Sequence, residues 1–219
     1  MFWRILPHTT ATIISHKVIM LDVRQDRYFL APDGIGPMLA AWLEARDGNA
    51  SPAAIIDLLK RSGIARVGDD APSNTKTETI SIPTALAAAR CRNAPAIGER
   101  LHIALLVIAT RLALRIRPLA KVLRYRDQRL IYRAPGKLDQ LRDRADLYDQ
   151  ARALVPVARN CLLDSLALDA WLASEDLQCQ LVFGVTVQPF VAHCWLQTQQ
   201  AVLNDGYDRV SRFTPILAL

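Results

Sequence analysis

The sequence predicts an α+β protein with a small winged-helix-like N-terminal module and a larger C-terminal domain. Residues 12–31 are rich in Ile, Val, Tyr and Phe, as short strands are, and helical patterns follow them. Residues 67–83 are polar and lack an apolar period. The last third of the chain runs from a helical segment into successive strand-like segments. We therefore expect a module over 1–66, a linker over 67–83 and a domain over 84–219.

The N-terminal module is expected to contain strands followed by two helices. Residues 12–31 predict two or three short strands with a turn at Arg24–Arg27. The next segment, PDGIGPMLAAWLEARDG, begins with Pro and Gly and has a helical apolar face that ends before Gly48. In SPAAIIDLLKRSGI, Ser51 is suited to cap a second helix and Pro52 to occupy its first position.

The middle of the chain predicts a buried helix followed by a strongly basic segment. Residues 84–118 are helical in pattern and apolar almost all round for two turns. Residues 111–133 hold eight arginines and lysines against one acidic residue, Asp127. Two interpretations stay open for this basic segment: a solvated helix face, or a docking surface for an anionic partner.

The C-terminal third predicts two helices and then a strand meander. Residues 144–154 are amphipathic, and residues 161–173, CLLDSLALDAWLA, form a clear helical pattern. Residues 179–188 predict a strand. The segments VAHCWLQ and AVLNDGY predict a hairpin with its turn at Thr198–Gln200.

Composition narrows the class of protein. The net charge is +6 and the isoelectric point about 9.4, which suggests an acidic partner such as nucleic acid, a membrane surface or an acidic peptide. The four cysteines form no CxxC pair, so we expect no metal site. No secretory signal, membrane-spanning run or GxxxxGK[ST] loop is found. We expect a cytoplasmic protein with reduced thiols and no cofactor.

Three residues near the C-terminus suggest a catalytic site. A three-residue hairpin turn would place His193 directly opposite Asp205, with their Cβ atoms about 5 Å apart. A carboxylate in that position orients an imidazole and stabilises its charged form. Cys161 begins a predicted helix, where the unpaired N–H groups favour a thiolate. Ser165 is a poorer nucleophile candidate because it lies one turn inside that helix.

Each of these residues taken alone has a more ordinary interpretation. A buried free cysteine is common and inert, and a histidine in a strand is more often structural than catalytic. Cys179 and Cys194 are expected to be such core thiols. The order of a cysteine at a helix start, a histidine in a strand and an aspartate after it is more specific than any one member.

The motifs CLLDSLALDAWL, LVFGVTVQPFVAHCWLQ and VLNDG resemble the C-terminal domain of the lasso-peptide maturation protease, the B protein. The resemblance implies a transglutaminase-like (papain-like) cysteine protease domain. It implies that Cys161 is the nucleophile, His193 the general base and Asp205 the orienting acid. The sequence departs from the family pattern at Cys194, where Ala is usual. Glycines are also missing from the turn before Val202 and from SEDLQ.

The N-terminal segment LDVRQDRYFLAPDGIGPMLAAWL resembles the leader-recognition element of the same systems, a PqqD-like fold related to a quinone-cofactor chaperone. The resemblance implies that a leader peptide adds as a strand beside Asp26–Leu30 and packs on a helix over Ala53–Ser62. At least half of the residues we assign to this groove have an alternative role in the core. The groove residues are Tyr28, Leu30, Ile55, Leu58 and Leu59.

The resemblance as a whole implies a leader peptidase of lasso peptides, a class of ribosomally made and then modified antibiotic peptides. The partners it implies are the precursor peptide and an ATP-dependent, asparagine-synthetase-like lasso cyclase, with no nucleic acid and no membrane. It implies backbone N–H groups as oxyanion donors, with Asn160 as a weaker side-chain candidate. Three alternatives stay open: a basic winged-helix protein that binds nucleic acid, an acyl-transfer enzyme with the same triad, and an inactive scaffold that binds the leader.

Overall fold

The computed structural model describes residues 2–5, 8–45, 57, 61, 65–68, 80–84, 94–130 and 137–219. The chain divides into two compact units, Met1–Thr79 and Ile80–Leu219. The second unit thus begins inside the stretch 67–83 that the sequence suggested as a linker. No helix within the described ranges is long and apolar enough to cross a lipid bilayer.

The first unit contains a three-stranded antiparallel sheet. Its strands are β2 (Thr9–Ile14), β3 (Lys17–Asp22) and β4 (Arg27–Leu30), in the order β2-β3-β4. A further strand, β1 (Phe2–Ile5), belongs to a separate two-stranded pair. The turn between β2 and β3 uses Ser15 and His16 at positive φ, 47° and 66°, which is the twist that a tight hairpin requires. The strands thus follow the predicted pattern of 12–31, with an earlier start.

Helix α1 (Gly36–Ala45) packs on β3 and covers one face of the sheet. The core between them holds Val18 and Met20 from the strand and Leu39 from the helix. The second predicted helix lies outside the described residues except for two positions. Asp57 and Arg61 are both helical and form an ion pair at 2.6 Å with i,i+4 spacing.

A short two-stranded pairing was not predicted from the sequence. Strand β1 pairs antiparallel with β5 (Ala65–Gly68). The first strand was missed because MFWRI is too short to show an alternating pattern, and the second overlaps the start of the polar stretch.

The second unit is a helical layer packed on a three-stranded sheet. Its long helices are α2 (Ile97–Ile116), α3 (Leu119–Leu130), α4 (Leu138–Arg152) and α5 (Cys161–Ser174). Helix α2 contacts α4 and α5, and its core side carries Ile103 and Val107. The predicted helix over 84–118 is therefore observed from Ile97, and residues 85–93 lie outside the described part of the chain.

The sheet of the second unit has the order β7-β6-β8, with all neighbours antiparallel. Its strands are β6 (Gln180–Val187), β7 (Phe190–Gln197) and β8 (Thr214–Ala218), and a short helix α6 (Tyr207–Val210) precedes β8. Residues 80–84 also belong to this unit, where Gln197 Nε2 donates to the Ser81 carbonyl at 3.0 Å.

The predicted hairpin between VAHCWLQ and AVLNDGY is present only at its turn. The Thr198 N–H donates to the Ala201 carbonyl at 2.8 Å, and Gln197 bridges Val202, while the long ladder of β7 is with β6. The sequence Asn-Asp-Gly favours turns and helix starts over strands, so the chain bends there and enters α6. The pairing of His193 with Asp205 would require Gln197 to pair with Ala201, and the observed bridge of Gln197 with Val202 is shifted from that register by one residue.

Candidate active site

Cys161 is the first residue of helix α5 and is partly exposed. Asn160 caps the helix: its side-chain oxygen accepts from the N–H groups of Leu162 and Leu163 at 3.1 and 3.2 Å. Asp164 Oδ2 in turn accepts from the Asn160 N–H at 3.2 Å. The cap fixes where the helix starts and hence where the thiol lies, and it commits the Asn160 side-chain oxygen to the helix.

A buried arginine holds the segment that leads into this helix. Arg152, at the end of α4, is 1% exposed and donates from Nε to Asp164 Oδ1 at 2.6 Å. Its Nη2 donates to the carbonyl oxygens of Val157 at 2.9 Å and Ala158 at 3.3 Å. One guanidinium therefore ties the loop before Cys161 to the first turn of α5, with charge-assisted bonds in a dry environment.

His193 lies on β7, is 6% exposed and faces Asp205. Its Nε2 and Asp205 Oδ2 are 2.5 Å apart. Asp205 lies just before α6, and its Oδ1 accepts from the Gly206 N–H at 2.8 Å. The structure therefore brings together the predicted histidine and aspartate, through a bend before a helix rather than through a hairpin.

Cys161 adjoins the same histidine. A hydrogen bond from the His193 imidazole is the main cause that lowers the pKa of the Cys161 thiol, and it outweighs burial, which acts in the opposite direction. The backbone N–H groups of Cys194 and Leu162 lower this pKa further. Because Nε2 of the imidazole is engaged with Asp205, Nδ1 is the nitrogen available to the sulfur. The contribution of the Cys194 backbone was not predictable from the sequence.

The pKa of the His193 imidazole is raised and the pKa of the Asp205 carboxyl is lowered. Burial alone would lower the pKa of His193, but its hydrogen bonds with Asp205 and Cys161 outweigh burial and raise the pKa to about 9. Burial would raise the pKa of Asp205, but the hydrogen bonds from His193 and the Gly206 N–H outweigh it and lower the pKa. These directions all favour the charged forms, a thiolate, an imidazolium and a carboxylate in a row.

A network of polar groups that the sequence did not reveal locks these elements together. Ser165, fully buried in α5, donates to the Cys194 carbonyl at 3.1 Å. Asn204 Nδ2 donates to Ser165 Oγ at 2.9 Å, and Asn204 Oδ1 accepts from the Leu196 N–H at 2.8 Å. The network joins the cysteine helix, the histidine strand and the residue before Asp205. The Ser165 hydroxyl is thus engaged in hydrogen bonds that connect these elements.

Aromatic rings fix the position of the imidazole. The ring centroids of His193 and Phe213 are 4.9 Å apart, and those of His193 and Trp195 are 6.0 Å apart. Gly184, opposite His193 on β6, makes room for both aromatic rings. A Cβ at this position would lie 2.7 Å from the Trp195 ring and 2.9 Å from Phe213 Cβ.

Gly184→Ala is expected to lower the free energy of unfolding by about 2 kcal/mol, because overpacking a filled core forces the rings to move. Urea denaturation followed by tryptophan fluorescence measures the change. Gly206→Ala is the matched control, since a Cβ there meets nothing within 4 Å. Equal stability of Gly184→Ala and the wild type would contradict the packing described around His193.

The remaining cysteines have structural positions. Cys179 and Cys194 are buried as predicted, and burial raises the pKa of both thiols.

Arg126, counted in the basic segment 111–133, is buried and bonded to Asp169 and to the Cys179 carbonyl, so it is not part of a docking surface. Cys91 lies outside the described residues. Within the described residues no cluster of His, Cys, Asp and Glu could hold a metal ion.

Two of the five predicted leader-binding residues lie on β4, at the edge of the described three-stranded sheet. Tyr28 is half-buried and Leu30 is 51% exposed, and they pair with Leu21 and Ile19 of β3. The intervening Phe29 packs on the core of this unit, so Tyr28 and Leu30 lie on the other face. The other three predicted residues, Ile55, Leu58 and Leu59, lie outside the described part of the chain.

The comparisons with known proteins place this site in a family. The model of the Transglutaminase-like superfamily matches residues 104–218, and the chain belongs to that family. The predicted α+β class and transglutaminase-like domain are thereby confirmed.

One curated relative is the Microcin J25-processing protein McjB of Escherichia coli, 40% identical over 47 residues. The matched segment is 22% of this chain and 23% of that relative. No solved structure matches.

Proposed function

We propose that this protein is a cysteine leader peptidase of lasso-peptide maturation. The observation that carries the proposal is the row formed by Cys161 at the start of α5, His193 on β7 and Asp205 in the segment after β7. The likeness to a protein whose name states that it processes microcin J25 supports a processing role. The family itself includes this type of cysteine chemistry, so fold and site support the same class of reaction.

In the first half of the proposed reaction, the Cys161 thiolate attacks the carbonyl carbon of the bond between leader and core. The tetrahedral oxyanion is stabilised by the N–H of Cys161 at the helix start, because the Asn160 side chain already occupies those of Leu162 and Leu163. The His193 imidazolium then gives its proton to the leaving amine. The core peptide departs with a free N-terminus, and the leader remains as a thioester on Cys161.

In the second half, the now neutral His193 removes a proton from a water molecule that attacks the thioester. The thiolate leaves, the imidazolium is restored, and the leader is released with a free carboxylate. Asp205 keeps its charge throughout and holds Nε2 of the imidazole, so that Nδ1 stays directed to the sulfur. The buried position of the ring limits its rotation away from this geometry.

The first unit is assigned to leader recognition. An extended leader would add to the β4 edge, with its side chains near Tyr28 and Leu30 and with Ile55, Leu58 and Leu59 completing the groove. The exposed Leu30 supports this assignment. We assign leader recognition to the unit Met1–Thr79, as a winged-helix-like, PqqD-like module, and catalysis to the unit Ile80–Leu219.

The released core amine has to be consumed by a second enzyme. We assign this step to an ATP-dependent, asparagine-synthetase-like cyclase that joins the amine to an acidic side chain of the core. This arrangement places the protein in the cytoplasm, where ATP and the precursor are available. Its own reaction uses no cofactor, because attack, proton transfer and hydrolysis are all supplied by the three side chains and water.

Acyl transfer by the same site is the alternative that product analysis separates. A lasso-peptide precursor is incubated with the protein, and the products are analysed by mass spectrometry. Hydrolysis gives two peptides whose summed mass exceeds that of the precursor by one water. A leader joined to another amine would establish acyl transfer, and an unchanged precursor with bound leader would establish a scaffold.

Nucleic-acid binding has less support than peptide processing. The basic segment 111–133 lies in the second unit, and one of its arginines, Arg126, is buried in an ion pair with Asp169. A salt-sensitive shift of DNA in a gel would favour that alternative.

A further inference from the structure

Helix α2 carries an apolar stripe on the side opposite to the core. Its core side holds the buried Ile103 and Val107. The stripe consists of six large aliphatic side chains at spacings of three and four residues, each between 53% and 76% exposed. The stripe is formed by Ile97, Leu101, Leu105, Ile108, Leu112 and Ile116.

The stripe is larger than scattered surface residues account for. It runs along the whole helix, which at 1.5 Å per residue is about 30 Å long. Six such side chains expose a contiguous area of several hundred Å², the size at which apolar patches mark interaction sites. A straight seam at three- and four-residue spacing is the pattern that packs against another helix.

The two edges of the stripe differ in charge. At 100° per residue, Arg100, Arg111 and Arg115 lie along one edge, all of them exposed. Gly98, Ala109 and the exposed His102 lie along the other edge, where the His102 ring packs edge-on against Trp171 of α5. The opposite edges therefore suit a partner helix that has acidic side chains on one side and approaches closely on the other.

A second copy of the chain fits this pattern less well. Antiparallel pairing would set the arginine edges of the two copies against each other, and parallel pairing would set arginines against Gly98 and Ala109. The acidic residue within α2 is Glu99, on the core side, where it is bonded to Arg144 at 3.0 Å. Neither arrangement supplies a carboxylate to the arginine edge.

A lipid surface is also less suited to the stripe. A helix that lies on an anionic membrane gains from cationic residues along both edges, because both edges approach the headgroups. Here one edge carries three arginines, and the other carries no arginine or lysine. The difference in charge between the two edges is better suited to one helix packed along the stripe.

We propose that the stripe of α2 is the docking surface for an amphipathic, acidic helix of a partner protein. The apolar seam supplies most of the contact, and the arginine edge sets the orientation through carboxylates of the partner. The inference depends on α2 alone and not on the proposed catalytic activity.

The test uses the full-length protein and two labelled synthetic peptides of about 20 residues. Both peptides carry leucines at the spacing of the stripe, one with glutamates along its edges and the other with lysines. Fluorescence anisotropy is expected to show at least tenfold tighter binding of the glutamate peptide, with an affinity that falls as salt is raised. Equal binding of both peptides, or binding of neither, would overturn the proposal.

Three variants locate the contact. The double variant Leu105→Ser, Leu112→Ser is expected to weaken binding of the glutamate peptide at least tenfold. Leu154→Ser is the matched control, because Leu154 is 66% exposed, as Leu105 is, and lies outside α2. Arg111→Gln is expected to weaken the salt dependence. Both leucines are exposed, so their replacement should leave the urea midpoint unchanged.

Two further measurements identify a different occupant. Light scattering that shows a dimer, converted to monomer by the double leucine variant, would assign the stripe to a second copy. Flotation with vesicles containing phosphatidylglycerol, abolished by the same variant, would assign it to a membrane. Either result would replace the proposed helix partner.

Discussion

Cys161→Ala is expected to reduce cleavage of the precursor by about 10⁴-fold or more, because it removes the atom that forms the covalent intermediate. Mass spectrometry of timed reactions measures the loss. Binding of the precursor, measured by anisotropy, should stay within about twofold of the wild type, since the leader is assigned to the first unit. The helix cap at Asn160 does not involve the thiol, so the fold around α5 is expected to persist.

Cys194→Ala is the matched control for this loss. Its thiol is buried, whereas the group that faces Cys161 is its backbone N–H, which alanine retains. We expect cleavage within a few fold of the wild type, with a moderate loss of stability from the small cavity. Cleavage that survives in Cys161→Ala, or that disappears equally in Cys194→Ala, would contradict the assigned nucleophile.

Asp205→Asn is expected to lower kcat by about 10²- to 10⁴-fold, the range seen when the carboxylate of a triad is made neutral. The physical reason is that the hydrogen bond of Asp205 with Nε2 sustains the charged imidazole against the effect of burial. Without the carboxylate, burial dominates and the pKa of His193 falls. The imidazolium, which stabilises the Cys161 thiolate, then loses its proton at a lower pH than it does in the wild type.

The pH profile of kcat/KM shows this change. The wild type should lose activity above the His193 pKa of about 9, and on the acid side below the lowered pKa of the Cys161 thiol. In Asp205→Asn the alkaline limb should move to lower pH. Asp208→Asn, an exposed neighbour in α6, is the control and should leave the profile unchanged. An unmoved alkaline limb in Asp205→Asn would contradict the role assigned to Asp205.

The sequence predicted the helix over 161–173 and the strand over 179–188 within a residue or two, because each has a long and uninterrupted pattern. It also predicted Cys161 at a helix start from the apolar run that follows it, whereas the cap that Asn160 forms there was not predicted. These local signals are the ones that a single sequence carries well.

The route by which Asp205 reaches His193 was not predictable in the same way. Strand pairing is set by which strands share a buried face, and β6 has neighbours on both sides, β7 and β8, the second of them from the far end of the chain. The proximity of the two residues was anticipated through a hairpin, whereas the structure achieves it through a bend held by Asn204 and Ser165. Such long-range hydrogen bonds leave no periodic trace in the sequence.

The exposed stripe on α2 is a second feature that the sequence pattern did not predict. The segment is apolar almost all round, and this pattern predicts a fully buried helix. The structure buries one face, around Ile103 and Val107, and leaves the opposite face exposed. Composition therefore identified an unusual helix but not which of its faces packs inside the domain.

Alkylation of Cys161 by iodoacetamide as a function of pH tests the central claim most directly, because it reports the state of the thiol without any substrate. Peptide mapping by mass spectrometry follows each cysteine separately. We expect Cys161 to react fastest, with a midpoint below the ordinary thiol value of about 8.5, and His193→Gln to move that midpoint upward. The buried Cys179 and Cys194 serve as internal references. A Cys161 midpoint in the ordinary thiol range, unchanged in His193→Gln, would contradict the thiolate–imidazolium pair on which the proposed peptidase depends.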